Sequence, residues 1–382
     1  MSAGGPRRRE RQRLAEQLRY GDPEEAGMLP AAVARMRERC AAWVEAGVTP
    51  SLAVLVARRG IVVLHEGLGR LGPEPDAARL RCDAVFAIAS LTKPMTATVA
   101  MTLVEDGLLG LNRPVQEYLP DFVGDGKEAV MVHHLLTHTS GLREDPALWA
   151  APGYQECVGR CCTSPLATHP GAEMSYCNAG YVLLGEVMRR VAGEPLPDLF
   201  RRRLFEPLGM ADSSFTGGPP ADRLVRHPPG VQVGALIELV RTWPLAAGAV
   251  FSTAWDVAVF GQMILNGGSY RAARVLSPAS VREMTRNQIP GVSALWFSEH
   301  FLEASWGLGW NVVGGKRSVR ESSLHSDRAV NHTGMGMNLL QVDPANALLV
   351  VYLSIAPAAF TGRKSDWRAD YLCDMAVAAI AP

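Results

Sequence analysis

The chain has 382 residues, of which 48% are hydrophobic and 20% charged, and its formal net charge is zero. This composition is typical of a globular protein, and the length is sufficient for two lobes around a sizeable core. A neutral chain has no overall field that would attract nucleic acid or an anionic membrane, so neither is expected as a partner.

Arginine is concentrated at the N-terminus, at Arg7, Arg8, Arg9, Arg11 and Arg13. We predict a flexible basic arm over residues 1–25, because such a run is more often a solvated tail than a nucleic-acid or membrane arm. A twin-arginine export signal requires about 7–15 apolar residues after the arginines, and LAEQLRYGDPEE follows instead. No other stretch approaches the ~18 apolar residues of a membrane span, so we expect a cytoplasmic protein.

Strand patterns occur near both ends of the chain. After a predicted helix at residues 29–46, SLAVLVARRGIVVLHEG contains two apolar runs around Arg-Arg-Gly, which is the pattern of a β-hairpin. Strands return in WGLGWNVV, MNLLQVD and ALLVVYLS, before a predicted C-terminal helix in DWRADYLCDMAVAAI. The region between is mainly helical, with helices predicted at residues 94–106, 179–192 and 196–205.

This order of elements predicts an α+β fold, in which a central antiparallel sheet built from both chain ends is flanked by helices. We assign residues 26–88 and 245–382 to the sheet lobe and residues 89–244 to an inserted, mainly helical lobe. The active site is expected in the cleft between the lobes, because clefts of this kind are common ligand sites.

The seven cysteines indicate free thiols in a reducing compartment, because their number is odd. The cluster CVGRCC lacks the paired spacing of a zinc site. His134 and His138 are four residues apart, but we interpret them as part of a structural turn. We therefore expect neither a metal nor an organic cofactor.

The stretch IASLTKPMTATVAMTLVEDG, residues 88–107, combines a helix with unusual chemistry at its start. Pro94 is tolerated only in the first turn of a helix, so the helix begins near Ser90. Lys93 then lies on the same face as the Ser90 hydroxyl, one turn further along. A serine becomes a good nucleophile when a neighbouring group takes its proton. S-x-x-K alone is nevertheless a short pattern that is common by chance.

Two further motifs follow in order. Tyr176 and Asn178 form Y-x-N in EMSYCNAGYVLLGEV, and His332 begins H-T-G in NHTGMGMNLLQVD. With these motifs the chain resembles the serine β-lactamase and penicillin-binding-protein superfamily, and within it the branch of class C β-lactamases, related esterases and transacylases. Other similar phrases include FAIASLTKPMTA, VHHLLTHTSGL and FEPLGM, and the resemblance extends from about Pro50 to Leu353. The absence of G-x-S-x-G removes the main support for an α/β-hydrolase.

The resemblance implies three catalytic residues. Ser90 would attack an acyl carbon and become an acyl-enzyme, with Lys93 as its proton partner. Tyr176 would act as general base and then as acid toward the leaving group. A neighbouring ammonium favours the phenolate of a tyrosine, so the charge of Lys93 would help to create this base.

The resemblance also implies residues that bind substrate. Asn178 would orient Lys93 or the substrate carbonyl. The alternative from its position before AGYVLLGEV is a helix N-cap, and the two roles are compatible. The backbone N–H of Met335 would form the oxyanion hole with that of Ser90, and Gly334 would allow close approach of the backbone. His332 stands where β-lactamases have lysine. Because histidine is largely neutral at pH 7, this difference weakens the case for β-lactam substrates.

The expected function is therefore a serine acyl-transfer enzyme that forms an acyl-Ser90 intermediate from an ester or thioester. It would act as a carboxylesterase, or as a transacylase to an amine or alcohol in small-molecule, secondary metabolism. The alternatives are a β-lactamase or D,D-peptidase-like enzyme and a catalytically inactive binding module. Cys177 is interpreted as a small buried filler. Whether four tryptophans line the cleft or pack in the core stays open: Trp243, Trp296, Trp306 and Trp310.

Overall fold

The computed structural model describes residues 17–216, 220–228, 232–296, 299–315, 322–355 and 368–382. Its strands are β1 (Arg19–Tyr20), β2 (Ser51–Arg58), β3 (Ile61–Gly69), β4 (Phe86–Ala87), β5 (Met174–Ser175), β6 (Ser214–Phe215), β7 (Val250–Ser252), β8 (Ser269–Tyr270), β9 (Ala273–Arg274), β10 (Ala294–Trp296), β11 (Glu299–Phe301), β12 (Asn311–Val312), β13 (Val330–Gly334), β14 (Asn338–Asp343) and β15 (Leu348–Ser354). Its α-helices are α1 (Pro30–Glu45), α2 (Thr92–Glu105), α3 (Val132–Leu136), α4 (Tyr154–Thr163), α5 (Asn178–Ala192), α6 (Leu196–Phe200), α7 (Glu206–Leu208), α8 (Gln232–Thr242), α9 (Ala254–Leu265), α10 (Pro278–Thr285) and α11 (Ala369–Ala378).

The main sheet has seven strands in the order β1-β3-β2-β15-β14-β13-β12, so both chain ends contribute to it as predicted. The hairpin of β2 and β3 is confirmed, and β15 pairs antiparallel with β2 in the centre. The edge strand β1 is parallel to β3, which makes the sheet mixed rather than wholly antiparallel. The reason is that the chain leaves β1 through α1 before it reaches the hairpin, so β1 need not reverse direction against β3.

Strand β2 shows how the sheet is covered on both faces. All eight of its residues are buried. Because side chains alternate along a strand, Leu52, Val54 and Val56 pack on one face in a cluster with residues of α1 and α11. Ala53 and Leu55 face the large core on the other side, which includes residues of α9. A strand buried on both faces reads as a continuous apolar run, as SLAVLVA does.

The sequence predicts a flexible arm over residues 1–25. Residues 1–16 of this segment lie outside the described residues. From residue 18 onward the chain is part of the fold, since Leu18 is buried in the core and β1 pairs with β3. The predicted limits of the two lobes, 26–88 with 245–382 and 89–244, stay predictions.

Two predicted elements differ from the structure. The helix expected over residues 196–205 is α6 followed by a π-helical segment, Arg201–Phe205. The strand expected in WGLGWNVV is reduced to β12. Gly307 explains why: a Cβ there would lie 2.1 Å from the carbonyl oxygen of Met284, so this segment is a close-packed loop against the end of α10.

Candidate active site

Ser90 lies in a tight turn between β4 and α2. The preceding Ala89 has a φ of 49°, a left-handed conformation that costs a non-glycine residue about 1–2 kcal/mol. The turn continues as a 3₁₀ segment, Ala89–Leu91, directly into α2. Thr92 and Thr96 tie the start of α2 to β7 and to the loop before it: the Val250 N–H donates to Thr92 Oγ1 at 3.1 Å, and Thr96 Oγ1 donates to the Ala246 carbonyl oxygen at 2.7 Å. The backbone therefore holds Ser90 directly after a residue in a strained, left-handed conformation.

Lys93 lies beneath this turn with no exposed surface. Its Nζ donates to Ser90 Oγ at 2.9 Å, to Asn178 Oδ1 at 2.7 Å and to the Ala247 carbonyl oxygen at 2.9 Å. These three acceptors match the three N–H donors of an ammonium group. The structure thus brings together the serine, the lysine and the asparagine of the predicted motifs, and it adds a backbone carbonyl that the sequence did not indicate.

Burial lowers the pKa of Lys93 from 10.5 to about 7, although the carboxylate of Glu144 and the thiol of Cys177 act in the opposite direction. Burial disfavours the charged form of an amine because the ammonium loses its hydration. Lys93 is therefore divided between ammonium and amine near neutral pH, and the amine can accept a proton from the Ser90 hydroxyl.

Tyr176 follows β5, and its ring centroid lies 4.8 Å from Lys93 Nζ, within the range of a cation–π contact. Asn178 is the first residue of α5 rather than its N-cap, so the predicted capping role is wrong. The physical reason is that its side chain is occupied elsewhere. Its Oδ1 accepts from Lys93, and its Nδ2 donates to Glu144 Oε1 at 2.9 Å.

His138 packs directly against Tyr176, with ring centroids 4.5 Å apart. Its Nδ1 accepts the backbone N–H of Cys177 at 3.2 Å, and burial together with the nearby Lys93 holds its pKa well below the usual value. From the sequence, His138 is expected in a structural turn. The structure places it, as a neutral ring, between Tyr176 and the buried Trp306.

His332 lies on β13 on another side of Tyr176, with ring centroids 6.1 Å apart. Its side chain is buried, and its Nδ1 donates to the Thr333 carbonyl oxygen at 2.8 Å. Burial and the proximity of Lys93 lower its pKa to about 3. His332 is therefore neutral at all ordinary pH values, and its ring lies against aromatic side chains rather than at an open surface.

The end of β13 packs against the Ser90 turn, residues 88–91. A Cβ on Gly334 would lie 2.4 Å from the carbonyl oxygen of Ile88, so only glycine permits this approach. Asn338 fixes the same corner, because its Nδ2 donates to the Ala87 carbonyl oxygen at 3.2 Å and to that of Met335 at 3.0 Å. The Met335 side chain is 45% exposed beside the turn. Its predicted oxyanion role stays a prediction.

The sequence leaves open whether the tryptophans line the cleft or pack in the core, and three of them are buried. Trp310 is fully buried and stacks on Phe260 at 6.0 Å, while Trp306 and Trp243 are 2% and 9% exposed. Trp306 nevertheless touches the ring of His332, so it supports the site from behind. The side chain of Trp296 lies outside the described part of the chain.

All seven cysteines are free thiols. Cys177 is buried, and burial raises its pKa to about 12, as suits a small filler. His134 lies in α3, and its Nδ1 accepts the backbone N–H of Met131, so this nitrogen already has a hydrogen-bond partner. Within the described ranges, no group of three or more His, Cys, Asp or Glu side chains has the geometry to hold a metal ion.

Glu144 is the functional candidate that sequence reasoning missed. It lies in the loop after HTSGL, and its Oε2 accepts the backbone N–H of Asn178 at 2.7 Å. The two residues are separated by 34 positions in the chain, and nothing in their spacing predicts the contact.

None of the helices in the described segments is long and apolar enough to cross a bilayer.

Comparison with known proteins gives consistent results. A family model described as Beta-lactamase matches residues 36–372. Penicillin-binding protein 4 of Amycolatopsis lactamdurans is 34% identical over 262 residues, which are 65% of this chain and 65% of that protein, so the match spans just under two thirds of the relative's length.

Two solved structures have the same fold. A penicillin-binding-protein homologue from Caulobacter crescentus has a TM-score of 0.76 at 20% identity, over 92% of this chain and 99% of that protein. EstCE1, described as a hydrolase with promiscuous acyltransferase activity, has a TM-score of 0.70 at 20% identity, over 91% and 98%. At such low identity these likenesses establish the fold alone.

Proposed function

This chain belongs to the beta-lactamase family and has a beta-lactamase-like fold, and from that premise we propose that it is a serine acyl-transfer enzyme acting on esters or thioesters. The observation that carries the proposal is the 2.9 Å contact between Lys93 Nζ and Ser90 Oγ. It joins a hydroxyl on a strained turn to a buried amine with a pKa of about 7. A nucleophile in contact with a base of this pKa suits acyl transfer at neutral pH.

In the first step the Lys93 amine takes the proton of Ser90 Oγ while that oxygen attacks the acyl carbon. The carbonyl oxygen gains the negative charge, and the backbone N–H groups of Ser90 and Met335 stabilise it. The contact between Gly334 and the Ser90 turn supports this oxyanion role of the two N–H groups, because it brings the end of β13 alongside residue 88.

In the second step the bond to the leaving group breaks, and Tyr176 donates its hydroxyl proton to the departing oxygen or sulfur. The Lys93 ammonium returns a proton to Tyr176, whose ring it faces at 4.8 Å. This assignment differs from the sequence expectation, in which a permanent charge on Lys93 made Tyr176 the base. The lowered pKa of Lys93 favours the amine as the base that activates Ser90.

The acyl group then passes from Ser90 to water, which is esterase activity, or to an amine or alcohol, which is transacylase activity. Acceptor choice depends on whether the cleft excludes water and binds a second substrate. The combination of both activities in the name of EstCE1 supports keeping both outcomes in the proposal.

A β-lactamase or D,D-peptidase-like activity is the second candidate, and similarity to a penicillin-binding protein favours it. His332 opposes it, because a neutral ring with a pKa of about 3 supplies no cation for a substrate carboxylate. We also propose a cytoplasmic role in small-molecule metabolism, which the seven free thiols support.

The test is release of p-nitrophenol from a short-chain p-nitrophenyl ester, with and without amine and alcohol acceptors. Ser90→Ala is the control, and a chromogenic cephalosporin is measured in parallel. Release that requires Ser90 and ignores acceptors indicates an esterase. Release accelerated by an acceptor, with a conjugate detected by mass, indicates a transacylase.

Three results would oppose the proposal. Cephalosporin opening faster than ester cleavage would favour the second candidate. Release that is unchanged in Ser90→Ala would exclude acyl-Ser90 chemistry, and absence of turnover and of a covalent Ser90 adduct by mass would leave the inactive binding module.

A further inference from the structure

We propose that Glu144 is a positioning residue that fixes the orientation of the Asn178 amide and balances the charge of Lys93. The inference rests on the proposed function, because it concerns how the Ser90–Lys93 pair is held ready for reaction. It assigns a role to a carboxylate outside the three sequence motifs.

The contacts of Glu144 with Asn178 involve both carboxylate oxygens. Oε2 accepts the backbone N–H of Asn178 at 2.7 Å, and Oε1 accepts from its side-chain Nδ2 at 2.9 Å. The first contact also satisfies an N–H at the start of α5, where a negative charge is favoured by the helix dipole. One side chain therefore fixes both the backbone and the amide of Asn178.

This arrangement selects one of the two orientations of the amide. A carboxylate only accepts hydrogen bonds, so the NH₂ of Asn178 must point toward Glu144. Oδ1 then points the other way, to Lys93 Nζ at 2.7 Å. With the amide reversed, an NH₂ group would face the lysine amine, and the contact that aligns Lys93 with Ser90 would be lost.

Glu144 is itself held in place. The indole N–H of Trp149 donates to Oε1 at 3.2 Å. On one side in sequence, Arg143 pairs with Glu173 at 2.7 Å, and on the other side Asp145 Oδ1 accepts the Ala147 N–H at 2.8 Å. Although the residue is exposed, these contacts restrain the loop that carries it.

Charge gives Glu144 its second role. Within the described part of the chain, the titratable groups in ring contact or electrostatic interaction with Lys93 are Glu144, Cys177, His138, His332, Tyr176 and Tyr181. Both histidines are neutral because burial keeps their pKa values low, and burial raises the pKa of Cys177 to about 12 and that of Tyr181 well above its usual value. The Glu144 carboxylate thus favours the ammonium form of Lys93 and limits the fall of its pKa.

Two substitutions separate geometry from charge. Glu144→Gln keeps the length but removes the charge, and it replaces one of the two acceptor oxygens by an NH₂ group that faces an N–H donor of Asn178. Glu144→Asp keeps the charge but is one methylene too short for both contacts. We expect kcat/KM at the pH plateau to fall about 10- to 100-fold in the Gln variant, the size known for residues that orient the ligands of a metal ion, and less in the Asp variant.

The pH dependence distinguishes this role from simple structural support. In Glu144→Gln the acid limb of kcat/KM should move to lower pH, because Lys93 loses a neighbouring negative charge. In Glu144→Asp the limb should stay near the wild-type position. Glu156→Gln is the matched control, because Glu156 is an exposed residue of α4 whose ion pair with Arg160 lies at the surface, and we expect wild-type kinetics.

A second readout does not require turnover. The chain has four lysines, Lys93, Lys127, Lys316 and Lys364, so ¹³C-labelled lysine gives a simple NMR spectrum, and Lys93→Arg assigns the signal of interest. In folded Glu144→Gln this signal should titrate at lower pH than in the wild type. An unchanged titration, or an unchanged kcat/KM plateau in that variant, would overturn the inference. Absence of Ser90-dependent chemistry in the wild type would instead contradict the proposed function, while the titration would still test Glu144.

Discussion

Substitution of Gly334 tests whether the contact between β13 and the Ser90 turn is needed for acylation of Ser90. In Gly334→Ala the new Cβ would lie 2.4 Å from the Ile88 carbonyl oxygen and 3.2 Å from Asn338 Cβ. An ordinary contact requires about 3.5 Å, so β13 or the turn must move by about 1 Å. The φ of Gly334 is not in the left-handed region, so the effect is steric rather than conformational.

A displacement of about 1 Å at reacting groups reduces rates on the order of 10²-fold, or about 2.7 kcal/mol in the activation barrier. We therefore expect Gly334→Ala to lower kcat/KM for a p-nitrophenyl ester by about two orders of magnitude while the fold is kept. The assay is stopped-flow acylation of Ser90, with circular dichroism melts of both proteins. Gly159→Ala is the matched control, because a Cβ at this position in α4 meets no atom within 4 Å and alanine favours a helix.

The reasoning would be refuted if folded Gly334→Ala acylated Ser90 at the wild-type rate. That result would mean that the turn adapts to the extra methyl group without moving Ser90 relative to β13. A slow variant with an intact melt, beside a Gly159→Ala control of normal rate, would support an oxyanion site formed between the two segments.

Three further predictions concern the side chains around Lys93. The acid limb of kcat/KM should be centred near pH 7, because burial lowers the pKa of Lys93 and the amine is the form that accepts the serine proton; a limb centred above pH 9 would contradict this. His332→Lys should move that limb to lower pH, since a second cation disfavours the first, and should raise cephalosporin opening relative to ester cleavage; no change in either rate profile would count against the role given to His332. Iodoacetamide at pH 8 should leave activity intact, because Cys177 is 2% exposed with its pKa raised to about 12, and peptide mapping that found native Cys177 alkylated would show otherwise.

The start of α2 could be predicted from sequence because its interactions are local. Pro94 restricts where the helix begins, and Ser90 and Lys93 are three residues apart, so one turn of helix brings them together. The same applies to the hairpin of β2 and β3, where the apolar runs and the turn residues are adjacent in the chain. In each case the sequence pattern and the contact that it predicts lie within one short, continuous stretch of the chain.

The rest of the site required tertiary contacts that no local pattern encodes. Lys93 meets the Ala247 carbonyl across 154 positions, and any residue at 247 would supply that oxygen. Asn178 meets Glu144 through a loop without regular periodicity. His138 was assigned to a turn correctly, but its left-handed φ of 58° and its contact with the Tyr176 ring, 38 positions away in the chain, have no local pattern that predicts them.

The neutral His332 and the anionic Glu144 both limit how far the pKa of Lys93 falls. Burying an ammonium without exposed surface is costly, and the three acceptors offset only part of that cost, so the pKa falls to about 7. A lysine at position 332 would add a second cation, and an uncharged residue at position 144 would remove the nearest carboxylate. Either change would lower the pKa of Lys93 further and make its ammonium a less available proton donor for Tyr176. The two residues therefore keep the lysine close to the pH at which it can both accept the serine proton and return one to the leaving group.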